Sequence, residues 1–267
     1  MAVVMTERRE TLEAKCAPYE NMIDSALANE KKILATMERD NAGLAYKRLI
    51  LAEEMIGVAT YYITINNLSV EILKTKNNDA LNDARKTLYK AIIYLEDIVT
   101  GAIDISYSEI EERVAEISNI PVEKRYYLVR KLGLAINLLI NAFGENTKWR
   151  WSFTELQGRF AAVAKNLIDM KKASKDYFEP NSSDYDNTVL YIRLVKKLLF
   201  QSATGYRDRY ELSTHRIDDM RLAIGYLSAQ RRVELIMGNA DEGEEIKKKA
   251  IVWHDKLLGD QKSGLAK

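Results

Sequence analysis

The side chains best suited to chemistry fall into a few short clusters. His215 and His254 are the only histidines. Glu211 lies four residues before His215, and Asp218 and Asp219 lie three and four after it, so the four can share one helix face. Helical metal sites pair a Glu with a His three residues on, from facing helices. Neither histidine here has a Glu at that position. The group reads as a solvated helix start, and His254, beside Trp253, as an exposed flank. Diphosphate binding through Mg²⁺ would need Asp-rich pairs on matching helices. Asp79 and Asp83, with Glu96-Asp97 further on, come nearest, but Asp79 opens a helix, where capping and the dipole already favour Asp. Cys16 sits two residues before Pro18 with no histidine nearby, and no Gly-x-Gly or Gly-Lys-Ser/Thr phosphate loop occurs. No metal or organic cofactor is expected, and the balance leans against an enzyme.

Two aromatic and basic clusters point to binding. Lys148, Trp149, Arg150 and Trp151 open a helix on which Phe153, Arg159 and Phe160 follow. Trp149 and Phe153 share a face while Trp151 points elsewhere, so a one-sided core cannot absorb both tryptophans. Trp and Arg are favoured anchors of protein contacts. Lys148, Trp149, Arg150, Trp151 and Arg159 are therefore the candidate interaction residues. The second cluster holds Arg207, Arg209, Tyr210 and Arg216, a candidate anion site, since arginine forks match phosphate and carboxylate. The competing expectation is pairing of these arginines with nearby Asp. Fifteen tyrosines against five phenylalanines suit core rims or subunit contacts.

Helices must position all of these. Helical periodicity runs through nearly every segment, and no alternating Val/Ile/Thr run suggests a sheet. The spacing predicts helices over 7–38, 42–75, 80–100, 121–143, 147–178, 185–212, 215–237 and 241–258. Ser106 and Glu109 have capping-box spacing and open a short helix to about Ile117. Pro18 should kink or restart the first helix. Asn77-Asn78-Asp79, Gly101, Gly144-Glu145-Asn146, Glu179-Pro180-Asn181 and Gly238 mark boundaries. Leu81, Leu88 and Leu95, with Ala84, Ala91 and Ile98, form one seam. The helix at 121–143 is apolar on two stripes, which suits a central helix. The fold expected is all-α: an antiparallel multi-helix bundle or short helical array of about seven to eight helices, in a single domain over 1–267. A shift of 145 residues matches Asn21–Asp24 to Asn166–Asp169 and Tyr46–Leu49 to Tyr191–Leu194, a weak sign of duplication between 7–118 and 147–258.

Composition limits the function classes. Across 267 residues, 40 Lys+Arg balance 39 Asp+Glu, giving a net charge of +1, so there is no strongly basic face to expect for nucleic acid. The 12 Gly and 3 Pro are too few for an all-β fold, and one Cys cannot make an internal disulfide. The N-terminus turns charged by residue 7, so no secretory signal is expected, and the most apolar run, Leu132–Phe143, contains Asn137 and Asn141. A cytoplasmic protein without membrane insertion is expected. Its expected role is a non-catalytic helical interaction or assembly protein, a scaffold or adaptor working through a protein partner or as a homo-oligomer. The alternative is a ligand-binding or enzymatic bundle whose polar site, for an anion or diphosphate, is assembled from distant helices.

Overall fold

The computed structural model describes residues 2–144 and 148–266. The described chain is all-helical, 83% helix with no strand, in ten α-helices. They are α1 (Ala2–Arg39), α2 (Leu44–Leu73), α3 (Asn78–Val99), α4 (Tyr107–Ala115), α5 (Val122–Phe143), α6 (Arg150–Asn166), α7 (Met170–Tyr177), α8 (Tyr185–Arg209), α9 (Ile217–Ile236) and α10 (Ala240–Lys262). Ten corrects the expected seven to eight. The short helix expected from Ser106 is present as α4, and the element not foreseen is the division of 147–178 into α6 and α7. That division needs no Gly or Pro: Asp169 caps α7 by accepting from the Lys172 N–H at 3.0 Å. The break at Glu145-Asn146 lies outside the described residues.

Several local signals act as the sequence suggests. Asn77 accepts from the Ala80 N–H at 3.0 Å and starts α3. The Glu109 carboxylate reaches back to the Ser106 N–H at 2.9 Å. Gly238 takes φ 77° just beyond α9. Pro18 does not stop α1, which runs through it. Its ring is exposed, and so is Ala14, whose carbonyl loses its helical donor and can bond water instead. Gly101 is not the residue that turns the chain after α3; Thr100 does so at φ 77°.

The chain forms two compact units, Met1–Ile98 with Leu128–Thr147, and Val99–Tyr127 with Lys148–Lys267. In the first, α1 and α2 run antiparallel: Asn29 donates to Glu54, and the Tyr19 and Tyr61 rings meet at 6.2 Å. The α2–α3 turn is held by Asn66, which accepts from the Asn77 N–H at 3.0 Å. The buried Glu30 carboxylate accepts from Tyr94 and from Lys90, the latter at 2.5 Å, linking α1 to α3. Burial and the bond to Glu30 both push the Tyr94 phenol up. The α3 seam of Leu81, Ala84, Leu88, Ala91, Leu95 and Ile98 is buried, as are Leu128, Leu132, Ala135, Ile136 and Leu139 of α5. Leu134 and Leu138 of α5 remain exposed.

In the second unit, α8 packs on α6 and α9, and α9 packs on α10. Gly158 permits the close approach of α6. A Cβ there would lie 2.6 Å from Tyr206 Cε2 and 2.8 Å from the Tyr226 hydroxyl, whose rings stack at 5.6 Å.

Candidate functional site

Two places in the second unit gather polar chemistry. The first is the α8–α9 junction, which contains the candidate anion residues. Here α8 passes into a single π turn, Tyr210–Thr214, and the chain reverses at His215 with φ 49°. π turns and left-handed non-glycine residues often mark functional positions. Two of the three arginines, however, are engaged by carboxylates of the chain itself. Arg207 donates to both Glu211 oxygens, at 3.0 and 3.2 Å, and stacks on the Trp253 ring at 5.3 Å. Arg209 lies 3.5 Å from the buried Asp219, which also accepts from Thr214 at 2.5 Å. Tyr210 is fully buried and donates to Asp260 at 2.8 Å; burial and that bond raise its pKa to about 12. Arg216 stands apart, exposed, at the start of α9. The structure thus brings Arg207, Arg209 and Tyr210 into one junction and makes them its fasteners. Glu211 and Asp219 serve these same pairs, and among the described residues no group of three His, Cys, Asp or Glu is placed to hold a metal.

The candidate interaction residues lie at the start of α6. Trp149 and Trp151 are each half-buried, beneath the Lys148 ammonium at 5.2 Å and the Arg150 guanidinium at 4.7 Å respectively. Lys148 and Arg150 are exposed and Arg159 is half-buried. Phe153 and Phe160 enter the core.

The second polar place was not singled out by the sequence. Segment 100–106 joins α3 to α4 without helical hydrogen bonds, so its carbonyls need other donors. The C-terminal end of α6 supplies them. Asn166 Nδ2 donates to Thr100 and Ala102 at 2.9 and 3.0 Å. Lys165 Nζ donates to Ile103 and Ile105 at 3.3 and 3.0 Å, and Arg232 of α9 donates to Ile103 at 3.2 Å. Nearby, Arg125 serves segment 116–121 in the same way, donating to the Ile117 and Ile120 carbonyls, and it also takes the Leu167 carbonyl at the end of α6.

Beside this clamp, α4, α6, α7 and α9 line an open-mouthed cavity of about 360 Å³ formed by Ile105, Ile110, Met170, Val233 and the partly exposed Leu235 and Ile236, with Lys165 and Arg232 in its wall. Lys165 is 7% exposed. Burial, and then the neighbouring Arg232 charge, bring its pKa down to about 8, while Asp104 and Glu109 act against the shift. An amine so placed can hold an anionic group at the polar end of an apolar chamber. The signal in the sequence was slight: one lysine directly after the apolar run Phe160–Ala164 and just before Asn166.

A third feature is an apolar recess of about 280 Å³ between α9 and α10, lined by Ile224, Leu227, Ile246, Ala250 and Ile251. Ile251 is half exposed.

No curated protein and no solved structure matches the chain. A family model matches residues 8–261, nearly the whole length, and the chain belongs to the TP0443 family.

Proposed function

We propose that this chain is a non-catalytic helical interaction protein, a scaffold or adaptor that works through contacts with a protein partner or with its own copies. The observation that carries this reading is the open α9–α10 recess. A chain of this composition can cover such surface with its own loops, yet Ile251, Val252 and Leu258 of α10 and Leu222 of α9 stay exposed. An apolar recess rimmed by Arg231, Lys247 and His254 has the make-up of a contact core with a polar rim. An amphipathic helix laid in that recess fits the known helix-in-groove mode. The half-buried Trp149 and Trp151, with their cationic neighbours, add a second contact surface at the start of α6.

An antiparallel multi-helix bundle is the architecture this role uses, and the α1–α2 pairing supports it. Among the described residues no helix is long and apolar enough to cross a membrane, which is compatible with a cytoplasmic setting. The near balance of charge gives no support to nucleic acid as the partner.

The test is the size of the native particle in extracts of the source cells. The full chain should elute above its own mass of 30.6 kDa. Ile251→Asp, a change at an exposed helix position, should return it to the monomer position without altering its circular dichroism. Elution of the wild type as a monomer, or an unaltered large particle with Ile251→Asp, overturns the reading.

A further inference from the structure

We propose that the cavity between α4, α6, α7 and α9 binds an aliphatic carboxylic acid, with its chain against Ile105, Ile110, Met170, Val233, Leu235 and Ile236 and its carboxylate held by Lys165 and Arg232. An imbalance of charge sets the wall of this cavity apart. The buried carboxylates Glu30, Glu234 and Asp219 are each paired with a cation, Lys90, Lys196 and Arg209, and the buried Arg125 donates to three separate carbonyls, one from each guanidinium nitrogen. Lys165 and Arg232 instead converge on one neutral acceptor, the Ile103 carbonyl, at 3.3 and 3.2 Å. Among the described residues neither has a carboxylate within ion-pair distance. Burying a cation without a counter-ion is costly, and placing a second beside it adds repulsion.

Clamping segment 100–106 does not require those charges. The neutral Asn166 amide performs the same task for Thr100 and Ala102 from the next position. Two cations in the wall of an otherwise apolar cavity are explained by an anion that enters it. The lining selects the remainder of the ligand. Its six apolar side chains would reject a sugar phosphate or a polyanion, whose other polar groups would lose water without gaining partners. A volume of about 360 Å³ falls in the range of small-molecule sites. One carboxylate on a flexible hydrocarbon chain meets both requirements.

The charged and titratable groups around the lysine are few. Arg232 approaches from α9, Asp104 from the connecting segment and Glu109 from the start of α4, both carboxylates being exposed. Tyr107 of α4 lines the cavity too, and its hydroxyl is committed to Asp169 at 2.9 Å. In the free protein Lys165 loses its proton near pH 8. A bound carboxylate favours the protonated form, so affinity falls as pH rises through that value.

Calorimetric titration of the full chain with decanoate and with decanol tests the proposal. Decanoate should bind about tenfold more tightly than decanol, the effect of one charge-assisted contact. Arg232→Gln should remove most of that preference and leave decanol unchanged. Ile236→Trp, which fills the cavity, should abolish binding of both. Raising the pH from about 7 to about 9.5 should weaken decanoate alone. Lys165→Met can fail to fold, so Arg232→Gln carries the test, with thermal melting as the check on folding. Equal affinity for acid and alcohol, no binding of either, or indifference of decanoate to Arg232→Gln overturns the proposal. The α9–α10 recess is untouched by these variants, so this outcome and that of the assembly reading are scored separately.

Discussion

Two glycine-to-alanine substitutions in the second unit should have opposite signs. Both Gly158 in α6 and Gly225 in α9 are buried mid-helix positions, where alanine gains about 1 kcal/mol of helix propensity. At Gly225 the new Cβ would meet Asp104 Oδ1 at 3.0 Å, the far end of an exposed, flexible side chain that can move aside. At Gly158 it would lie 2.6 Å from Tyr206 and 2.8 Å from Tyr226. Those rings are 4% and 3% exposed and stack on each other, so neither can yield without moving the other. Overpacking of this kind costs about 1–3 kcal/mol, and a displaced ring pair belongs at the upper end. Gly225→Ala should therefore be neutral or stabilising by up to about 1 kcal/mol. Gly158→Ala should lose about 1–2 kcal/mol net, lowering Tm by about 3–6 °C. Urea unfolding followed by tryptophan fluorescence is the assay, because Trp149, Trp151 and Trp253 all lie in the second unit. Equal effects from the two substitutions, or a stabilised Gly158→Ala, would refute the claim that α6 is seated through this glycine.

The remaining predictions concern the core, the α6 start and pH. Leu132→Ala, at a fully buried α5 position in the first unit, should cost about 2–5 kcal/mol, read by far-UV circular dichroism because that unit has no tryptophan. A cost below about 1 kcal/mol would mean that α5 is not packed as described. Trp151→Ala should weaken association by about 1–3 kcal/mol with little change in stability, measured by light scattering; unfolding of the variant would make Trp151 an ordinary core residue. Folded Lys165 releases its proton near pH 8 and the unfolded chain near the ordinary 10.5. Between these values the unfolded chain holds more protons, so the contribution of Lys165 to stability rises with pH. The stability difference between wild type and Lys165→Gln should shift in favour of the wild type from about pH 7.5 to about pH 10, and a flat difference contradicts the burial of this charge.

What the sequence disclosed was mostly local. Capping at Asn77 and Ser106, the stop at Gly238 and the Leu81–Leu88–Leu95 seam depend on residues within a turn or two of each other, and all are visible as pattern. The split between α6 and α7 was hidden because Phe160–Ile168, apolar apart from Lys165 and Asn166, contains no Gly or Pro. The chain turns there because Arg125, 42 residues away, takes the Leu167 carbonyl at 3.1 Å. The arginine cluster was visible but its partners were not all so. Glu211 stands one turn from Arg207, whereas Asp260 reaches Tyr210 across 50 residues. The Lys165 cavity depends on three separate stretches, 105–110, 165–170 and 232–236, which only the tertiary fold brings together.

The α9–α10 recess is the proposed place of protein binding. Site-specific photo-crosslinking in living source cells tests this directly. A photoreactive residue replaces Ile251 in one strain and the exposed Glu112 of α4 in another. Position 251 should give a discrete, higher-mass adduct, either with a second copy or with one partner, and position 112 none. Absence of an adduct at position 251, or the same diffuse pattern from both positions, would contradict this proposal.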